Sequence, residues 1–379
     1  MKVDFNKLSI TDRELENLRS ALDGSPLQGG GRFLSLCEIR IAQIAKANNV
    51  LLTTSATSAL DISAYLSDIE DGDEVIVPSY TFVSSINAFV SRGAKPVFCD
   101  VCADTLNMDI DMLSTLITGR TKVIIPVHYA GVACDMDSIL AIAKKHNIMV
   151  VEDAAQGFNS YYKGRHLGTI GDLGTISFHS TKNVIAGEGG ALLVNRQDFI
   201  RRANYIREKG TNRIDFVNGI VDKYTWVDCG SNYIPSELTA AFLAAQLERV
   251  ESLTSSRIEA WKRYKQMLSP LEIEGRLNLC KIPSYATSNA HIFFIYLNSV
   301  EQTKALQQYL REFGVSVMGH YAPLHKCPMA LKLNGGFAPN LPVAEKMASC
   351  MLRLPMYADI TEQQQQYVCE KIINFFDNL

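Results

Sequence analysis

Residues 122–153, KVIIPVHYAGVACDMDSILAIAKKHNIMVVED, decide the fold. Two runs, VIIPV at Val123–Val127 and IMVVED at Ile148–Asp153, are apolar on both faces. A strand buried in a parallel sheet, with helices above and below, requires that. Between them Met136–His146 repeats its apolar residues at helical spacing. Strand, helix and strand in succession form a βαβ unit, whose second strand lies parallel to the first.

The alternation continues outward. Val50–Thr54 reads as a strand and Thr57–Leu66 as a helix. Asp73–Val77 reads as a strand closed by Pro78, and Phe82–Val90 as a helix. Pro96–Cys99, Thr175–Phe178 and Ala191–Val194 read as further strands. The expected class is α/β, a large domain with a mainly parallel central sheet. At Ser236 the period changes. Ser236–Leu268 is rich in Ala and Leu at helical spacing, one long helix or two in sequence. Beyond it HIFFIYL and SVMGHYAPL read as strands, and Gln302–Phe313 and Ala344–Met351 as helices, which makes a smaller C-terminal α+β domain. The expected division is 1–235 for the large domain with an N-terminal arm, 236–270 for the connecting helix and 271–379 for the small domain.

Composition narrows the function. Across 379 residues, 37 Lys and Arg stand against 40 Asp and Glu, a formal net charge of −3. A general nucleic-acid binder would be clearly basic. The nine cysteines are scattered, several (Cys37, Cys134, Cys350) inside apolar runs, and read as buried reduced thiols. Cys99 and Cys102 form a single C-x-x-C with no second pair and no His at a zinc spacing, so they read as thiols at a strand end and no metal is expected. The opening MKVDFNKLSITDREL is charged and lacks the apolar core of a signal peptide. No apolar stretch nears the ~20 residues that span a bilayer. The expectation is a cytoplasmic protein with neither membrane nor nucleic acid as partner.

Familiar motifs are missing: no G-x-G-x-x-G after a strand, no Walker A loop, no G-x-S-x-G and no H-E-x-x-H. That removes a dinucleotide-dependent dehydrogenase. Gly29–Gly31 reads either as a flexible loop or as one that touches substrate. The informative residues lie at the ends of expected parallel strands, where such sheets place their ligand crevice. In TTSATSAL, Ser55, Ala56 and Thr57 stand between a strand and a helix. Free N–H groups and the positive dipole end there suit a phosphate, although on this segment alone a plain Ser/Thr cap is the simpler reading. In VVEDAAQG, Asp153 ends a strand and precedes Ala154, Ala155 and Gln156. A carboxylate there needs a partner, and a protonated ring nitrogen is one. In SFHSTKN, Lys182 follows Ser177 by five residues, with GEGG soon after. A desolvated lysine is a nucleophile suited to imine formation. In PSYTFVSS, Phe82 could stack on a flat ring or simply join the core. An imine-forming lysine, a carboxylate, a phosphate cup and two ring faces are what pyridoxal 5'-phosphate asks for.

With these residues in view, SATSAL, PSYTFVSS, VHYAGVACDMD, VVEDAAQG, GTISFHSTKN, GEGGALLVN, GSNYIPSELTAA and HYAPLHKCP, spread over nearly the whole chain, resemble the DegT/DnrJ/EryC1/StrS family of sugar aminotransferases. The resemblance implies the aspartate-aminotransferase-like fold, fold type I of the pyridoxal-phosphate enzymes. It implies Lys182 as the cofactor-linked lysine and proton shuttle, Asp153 as the partner of the ring nitrogen and Gln156 on the phenolic oxygen. Ala56, Thr57 and Ser177 would hold the phosphate. Phe82 would stack on one ring face and Ala155 close the other. Asn232 matches an Asn that reaches the phosphate from the neighbouring subunit, so a homodimer with shared active sites is implied. Many members carry Gly-Thr where this chain has Ala56-Thr57, and a dehydratase subgroup has His in place of the lysine present here.

IREKGTNR followed by VDKYTW resembles the branch that makes dTDP-4-amino-4,6-dideoxygalactose. The implied reaction moves an amino group from L-glutamate to C4 of a dTDP-4-keto-6-deoxyhexose, with pyridoxamine phosphate as the intermediate cofactor form. A bacterial surface polysaccharide is the family's destination for such a sugar. Lys209 and Arg213 are candidate cations for the sugar diphosphate or mere surface charges. His320, Tyr321 and His325 could face the sugar or order their loop, and His291 is either a site residue or a satisfied structural histidine. The rivals are the gluco epimer or amination at C3 and, in another class, a regulator or scaffold that keeps the cofactor fold without turnover.

Overall fold

The computed structural model describes residues 1–24 and 27–378. Strands β1 (Val50–Thr53), β2 (Glu74–Pro78), β3 (Lys95–Cys99), β4 (Thr121–Ile124) and β5 (Met149–Asp153) alternate with helices. A short hairpin, β6 (Tyr161–Tyr162) and β7 (Arg165–His166), precedes β8 (Leu173–Ser177) and β9 (Gly190–Val194). The central sheet has the order β1-β9-β8-β5-β4-β2-β3. β8, β5, β4, β2 and β3 are mutually parallel, and β9 runs against both of its neighbours. The sheet is thus mainly parallel, as its apolar strands require: β1, β2, β8 and β9 are buried along their whole length.

Helices Asp12–Gly24, Arg32–Ala45 and Glu237–Glu248 cover one side. Ala240, Ala241, Ala244 and Ala245 are buried, and their small side chains let the helices approach closely: Asn17 Nδ2 reaches the Ala241 carbonyl at 3.1 Å. Gly29–Gly31 neither swings free nor meets the cavity described below. A Cβ on Gly31 would fall 2.5 Å from Glu237, whose carboxylate accepts from the amides of Gly31, Phe33 and Leu34 and so caps the second helix.

The Ala/Leu-rich stretch is two helices, Glu237–Glu248 and Val250–Ile273, hinged at Arg249. The second packs against the helix Glu362–Asp377 in the C-terminal part, where Gln365 Nε2 donates to the Ala260 carbonyl at 2.7 Å. There β10 (Asn278–Leu279), β12 (Phe294–Tyr296) and β13 (Met351–Arg353) form a three-stranded antiparallel sheet, while β11 (Ala286–Thr287) joins the β6–β7 hairpin. SVMGHYAPL is not the expected strand. Within it Met318 bridges Arg353, and Val315, just before it, bridges Val3. Beyond Gly319 it turns away, and no ladder propagates. The first residues cross to this region too: Val3 N donates to Gly314 O at 2.9 Å, and Phe5 O accepts from Met356 N at 3.3 Å. No helix among the described residues is long and apolar enough to cross a membrane.

Candidate active site

The carboxyl ends of β5 and β8 open into a cavity of about 530 Å³ whose lining includes Ala56, Thr57, Phe82, Asp153, Ala155, Gln156, Ser177 and Lys182. Residues separated by more than a hundred positions in sequence meet here because parallel strands end on one edge.

Asp153 ends β5 and is 6% exposed. Ser85 Oγ donates to its Oδ2 at 2.6 Å and the Ala155 amide to its Oδ1 at 3.1 Å. No cationic side chain among the described residues pairs with it. A buried carboxylate held only by neutral donors suits a ligand that brings its own positive charge. Successive strand residues face opposite ways, so Glu152 points behind the site. It meets His128 Nε2 at 2.9 Å and accepts from the amides of Gly168, Ile170 and Gly171. Burial opposes the charge of both members. The Cys134 side chain and Glu152 around His128 nonetheless raise its pKa to about 10, while hydrogen bonds hold the Glu152 pKa down.

Lys182 lies in the loop between β8 and β9. The Phe178 amide donates to Gly189 O at 2.8 Å and the Ser180 amide to Gly187 O at 2.9 Å, so the loop folds back on itself and presents Lys182 to the cavity. Gly187 takes a φ of +79°, which an L side chain would resist. Desolvation, aided by Arg353 and opposed by Asp153, lowers the Lys182 pKa to about 8. The ammonium therefore gives up its proton more readily than a surface lysine.

The helix Ala56–Leu66 starts at the same edge. Ser55 caps it by accepting from the Ser58 amide at 3.1 Å, and its first turn leaves the Ala56 and Thr57 amides without intrahelical partners. Thr57 Oγ1 lies 2.9 Å from Ser84 Oγ. Gly190 on β9 lets this turn sit low on the sheet: a Cβ there would fall 2.4 Å from the Ala56 nitrogen. Gln156 Oε1 accepts from the Ala130 amide at 2.7 Å, leaving its Nε2 3.4 Å from the Tyr321 hydroxyl.

Other expectations shift. The helix expected from Phe82 begins at Ser84. Phe82 precedes it, 57% exposed over the cavity, with its ring 6.1 Å from that of Tyr321. His320 and Tyr321 do line the cavity. His325 does not: fully buried, it bonds Ser79 Oγ at 2.6 Å and Glu345 at 3.2 Å, and so orders its loop. His291 reaches the lining but is tied to Asn183 Oδ1 at 2.8 Å, and burial lowers its pKa well below the ordinary range. Lys209, Arg213 and Asn232 lie outside this cavity. Arg213 pairs with Glu208 at 3.1 Å, and Asn232 is exposed. Cys99 ends β3 and is buried, while Cys102 beyond it is exposed. Among the described residues no cluster of His, Cys, Asp or Glu is placed to hold a metal ion.

Ser85, Phe5, Asn6 and Arg353 also belong to the site, and sequence reasoning missed them. A signal existed for Arg353 alone, a charge inside the apolar run MLRLPM. The residues fit pyridoxal 5'-phosphate: Asp153 lacks a cation, Lys182 is desolvated beside it, and the helix start offers free amides.

The comparisons agree with this geometry. Residues 8–373 match the DegT/DnrJ/EryC1/StrS aminotransferase family. A GDP-perosamine synthase of Caulobacter vibrioides is 32% identical over 360 residues, covering 93% of this chain and 92% of that protein. A "pleiotropic regulatory protein" of Geobacillus stearothermophilus is 34% identical over 348 residues, covering 91% and 90%. Among solved structures, the putative sugar aminotransferase Spr1654 of Streptococcus pneumoniae superposes in its pyridoxamine-phosphate form with a TM-score of 0.92 at 26% identity, over 100% of both chains. Its pyridoxal-phosphate form gives 0.91 at 26% identity, over 100% of this chain and 99% of that one.

Proposed function

The chain belongs to the DegT/DnrJ/EryC1/StrS aminotransferase family, a pyridoxal-phosphate-dependent sugar aminotransferase, and from that premise we propose its reaction. It transfers the amino group of L-glutamate to C4 of dTDP-4-keto-6-deoxy-D-glucose, giving dTDP-4-amino-4,6-dideoxy-D-galactose and 2-oxoglutarate. The observation that carries the chemistry is Lys182, with a pKa lowered to about 8, in one cavity with the cation-free carboxylate of Asp153.

The bound cofactor supplies a sink for the electron pair left when the amino-bearing carbon loses its proton. The protein does the rest. Asp153, fixed by Ser85 and the Ala155 amide, keeps the ring nitrogen protonated. The Ala56 and Thr57 amides and Ser177 would hold the phosphate. Gln156 would bond the phenolic oxygen, and Phe82 and Ala155 would bracket the ring. Lys182 takes the proton from Cα of glutamate and, in the second half-reaction, delivers a proton to sugar C4. Delivery from one face fixes the epimer. Such proton transfer contributes roughly 10²–10⁴-fold.

Segments 206–213 and 221–226 support the choice of sugar, through their resemblance to the dTDP-4-amino-4,6-dideoxygalactose branch. They are also joined: the Asn212 amide donates to Thr225 O at 3.2 Å, and Thr211 bridges Trp226. The loop they form is apolar and bare, with Trp226 80% exposed and Val217, Ile220 and Val227 also exposed. A second protomer would cover such a surface. In the dimer proposed here Asn232, Lys209 and Arg213 serve the neighbouring site, which accounts for their distance from their own.

The similarity to GDP-perosamine synthases favours a second reading, a GDP-linked keto-sugar. Purified protein, pyridoxal phosphate and glutamate are incubated with each nucleotide sugar, and the product is read by NMR. Small H3–H4 and H4–H5 couplings from the dTDP sugar establish the galacto product. Large couplings mean the gluco epimer. Product from the GDP sugar alone moves the assignment to that nucleotide. No amino sugar from either, with the cofactor bound, moves the search to another keto-sugar or another nucleotide.

A further inference from the structure

Asn289 does not line the cavity, yet it bonds two of the segments that do. It is 1% exposed, and every polar group it carries is engaged. Its Nδ2 donates to Gln156 O at 2.9 Å and to Phe158 O at 2.7 Å. Its Oδ1 accepts from the His291 amide at 3.0 Å, and its own amide donates to Ser160 Oγ at 2.8 Å. Its carbonyl accepts from Asn183 Nδ2 at 2.9 Å. That carbonyl can only accept, which fixes the orientation of the Asn183 amide and makes His291 Nδ1 the donor to Asn183 Oδ1 at 2.8 Å.

The bonded partners come from far along the chain. Gln156 follows β5 and lies 133 positions from Asn289, whereas Asn183, next to Lys182 in the β8–β9 loop, lies 106 positions away. The ends of that loop are fixed by β8 and β9, and the bonds within it set its shape. Polar contact from outside places its tip. Asn6 Nδ2 reaches Ser180 O at 3.5 Å, the limit of a hydrogen bond. The firm contacts are those of Asn183 with Asn289 and His291. Gln156 is held at both ends, its carbonyl by Asn289 and its Oε1 by the Ala130 amide. Gly131, beside that amide, takes a φ of +75°, and a Cβ on it would fall 2.1 Å from Asn289 Oδ1. The anchor is itself braced: the buried Arg257 donates from Nε to Ala290 O at 3.2 Å and from Nη2 to His291 O at 2.6 Å.

We infer that Asn289 is a positioning residue, which sets Lys182 and Gln156 at the spacing the cofactor requires, its carbonyl acting through Asn183 and its side chain directly on the Gln156 backbone. The inference rests on the proposed cofactor chemistry. In pyridoxal phosphate the aldehyde and the phenolic oxygen stand on adjacent ring atoms, so the lysine that attacks one and the amide that bonds the other must be placed together. A buried network with every bond made allows little drift. The charges near Lys182 act differently. Asp153 raises its proton affinity and Arg353 lowers it, whereas Asn289 is neutral and acts on place alone.

Cofactor capture reads placement apart from folding. Cofactor-free protein is mixed with pyridoxal phosphate, the rise of the visible band is timed, and borohydride reduction confirms attachment at Lys182. Binding of pyridoxamine phosphate, which has no aldehyde for the lysine to attack, is measured by calorimetry. In Asn183→Ala capture slows about tenfold, the size of one lost buried hydrogen bond, while pyridoxamine phosphate binding stays within about 3-fold. Turnover with glutamate loses kcat and keeps KM. Asn289→Ala also slows capture about tenfold or more. The double variant is no more than about 3-fold slower than the slower single one, because either substitution already cuts the chain from Gln156 to Asn183. Unchanged capture in Asn183→Ala means that the loop places its lysine unaided and overturns the inference. Equal losses in capture and in pyridoxamine phosphate binding make the contact merely structural, and additive losses in the double variant make the two links independent. Either result overturns the inference as well. Should Asn289→Ala fail to fold, Asn183→Ala decides alone. Wild-type protein that forms no visible band with pyridoxal phosphate overturns the transaminase reading instead.

Discussion

Two walls of one cavity are built in different ways. Asp153 and Ser177 end strands paired in register over several residues, and Lys182 hangs from the loop that follows. The facing wall is Phe5, His320, Tyr321 and Arg353, drawn from the N-terminal segment, a loop and a three-residue strand. There the backbone outside β13 pairs only at isolated positions. A sheet edge fixes an atom closely, whereas loops can be exchanged without disturbing the sheet. The difference teaches a division of labour. In the proposed reaction the steps common to every substrate would sit on the rigid wall, and selection between substrates on the adaptable one.

Substitutions can break that division. On the rigid wall Lys182→Ala abolishes both half-reactions, a loss of at least about 10³-fold in turnover, because proton transfer loses its carrier. The protein still binds the cofactor but loses the visible band of the lysine linkage, which absorbance and turnover check together. Appreciable turnover in this variant would sink the assignment. Behind the same wall, His128→Ala removes the imidazole partner of the buried Glu152 carboxylate, leaving it its three amide donors, and lowers stability by about 3 kcal/mol, read as a lower midpoint of urea unfolding. Asp153→Asn keeps the shape but removes the charge opposite the ring nitrogen. It lowers kcat about 10²-fold for every acceptor tried, the size of a lost charged hydrogen bond.

A pH measurement sharpens the comparison next. The neutral amine of Lys182 is the form that attacks the cofactor's aldehyde. With its pKa lowered to about 8, the rate of cofactor capture by the cofactor-free protein climbs as pH rises toward that value and levels off above it. The gain between pH 7 and 9 is about tenfold, whereas an ordinary lysine would keep climbing to beyond pH 10. Stopped-flow absorbance reads either curve. The smallest effect belongs to the adaptable wall. Tyr321→Phe removes a hydroxyl 3.4 Å from Gln156 Nε2, and steady-state kinetics should show KM for the keto-sugar changed by less than about 5-fold with kcat held.

The same division explains what was legible in the sequence. The strands carrying Asp153 and Ser177 announce themselves as apolar runs, and the polar residue after each run marks the crevice. Periodicity carries no strand direction, so the reversal of β9 stayed hidden. Ser85 looked like any helical serine, because its partner is 68 positions away. The facing wall was legible only in part. SVMGHYAPL reads as a strand, yet among the described residues it makes one isolated bridge, Met318 to Arg353. His325 lies in the same motif as His320, and only the fold shows one buried against Ser79 and the other bordering the cavity. Arg353 was visible as a charge among apolar residues, but what it faces depends on Phe5, at the opposite end of the chain.

The pairing of Val3 with Val315 also orders events in time. A chain emerging from the ribosome exposes Phe5 roughly three hundred residues before the segments that will hold it exist, and closing so long a loop is slow. The sheet bearing Asp153 and Lys182 can assemble while that segment still dangles. Loop closure thus favours a nascent protein whose reactive edge forms before its facing wall is complete.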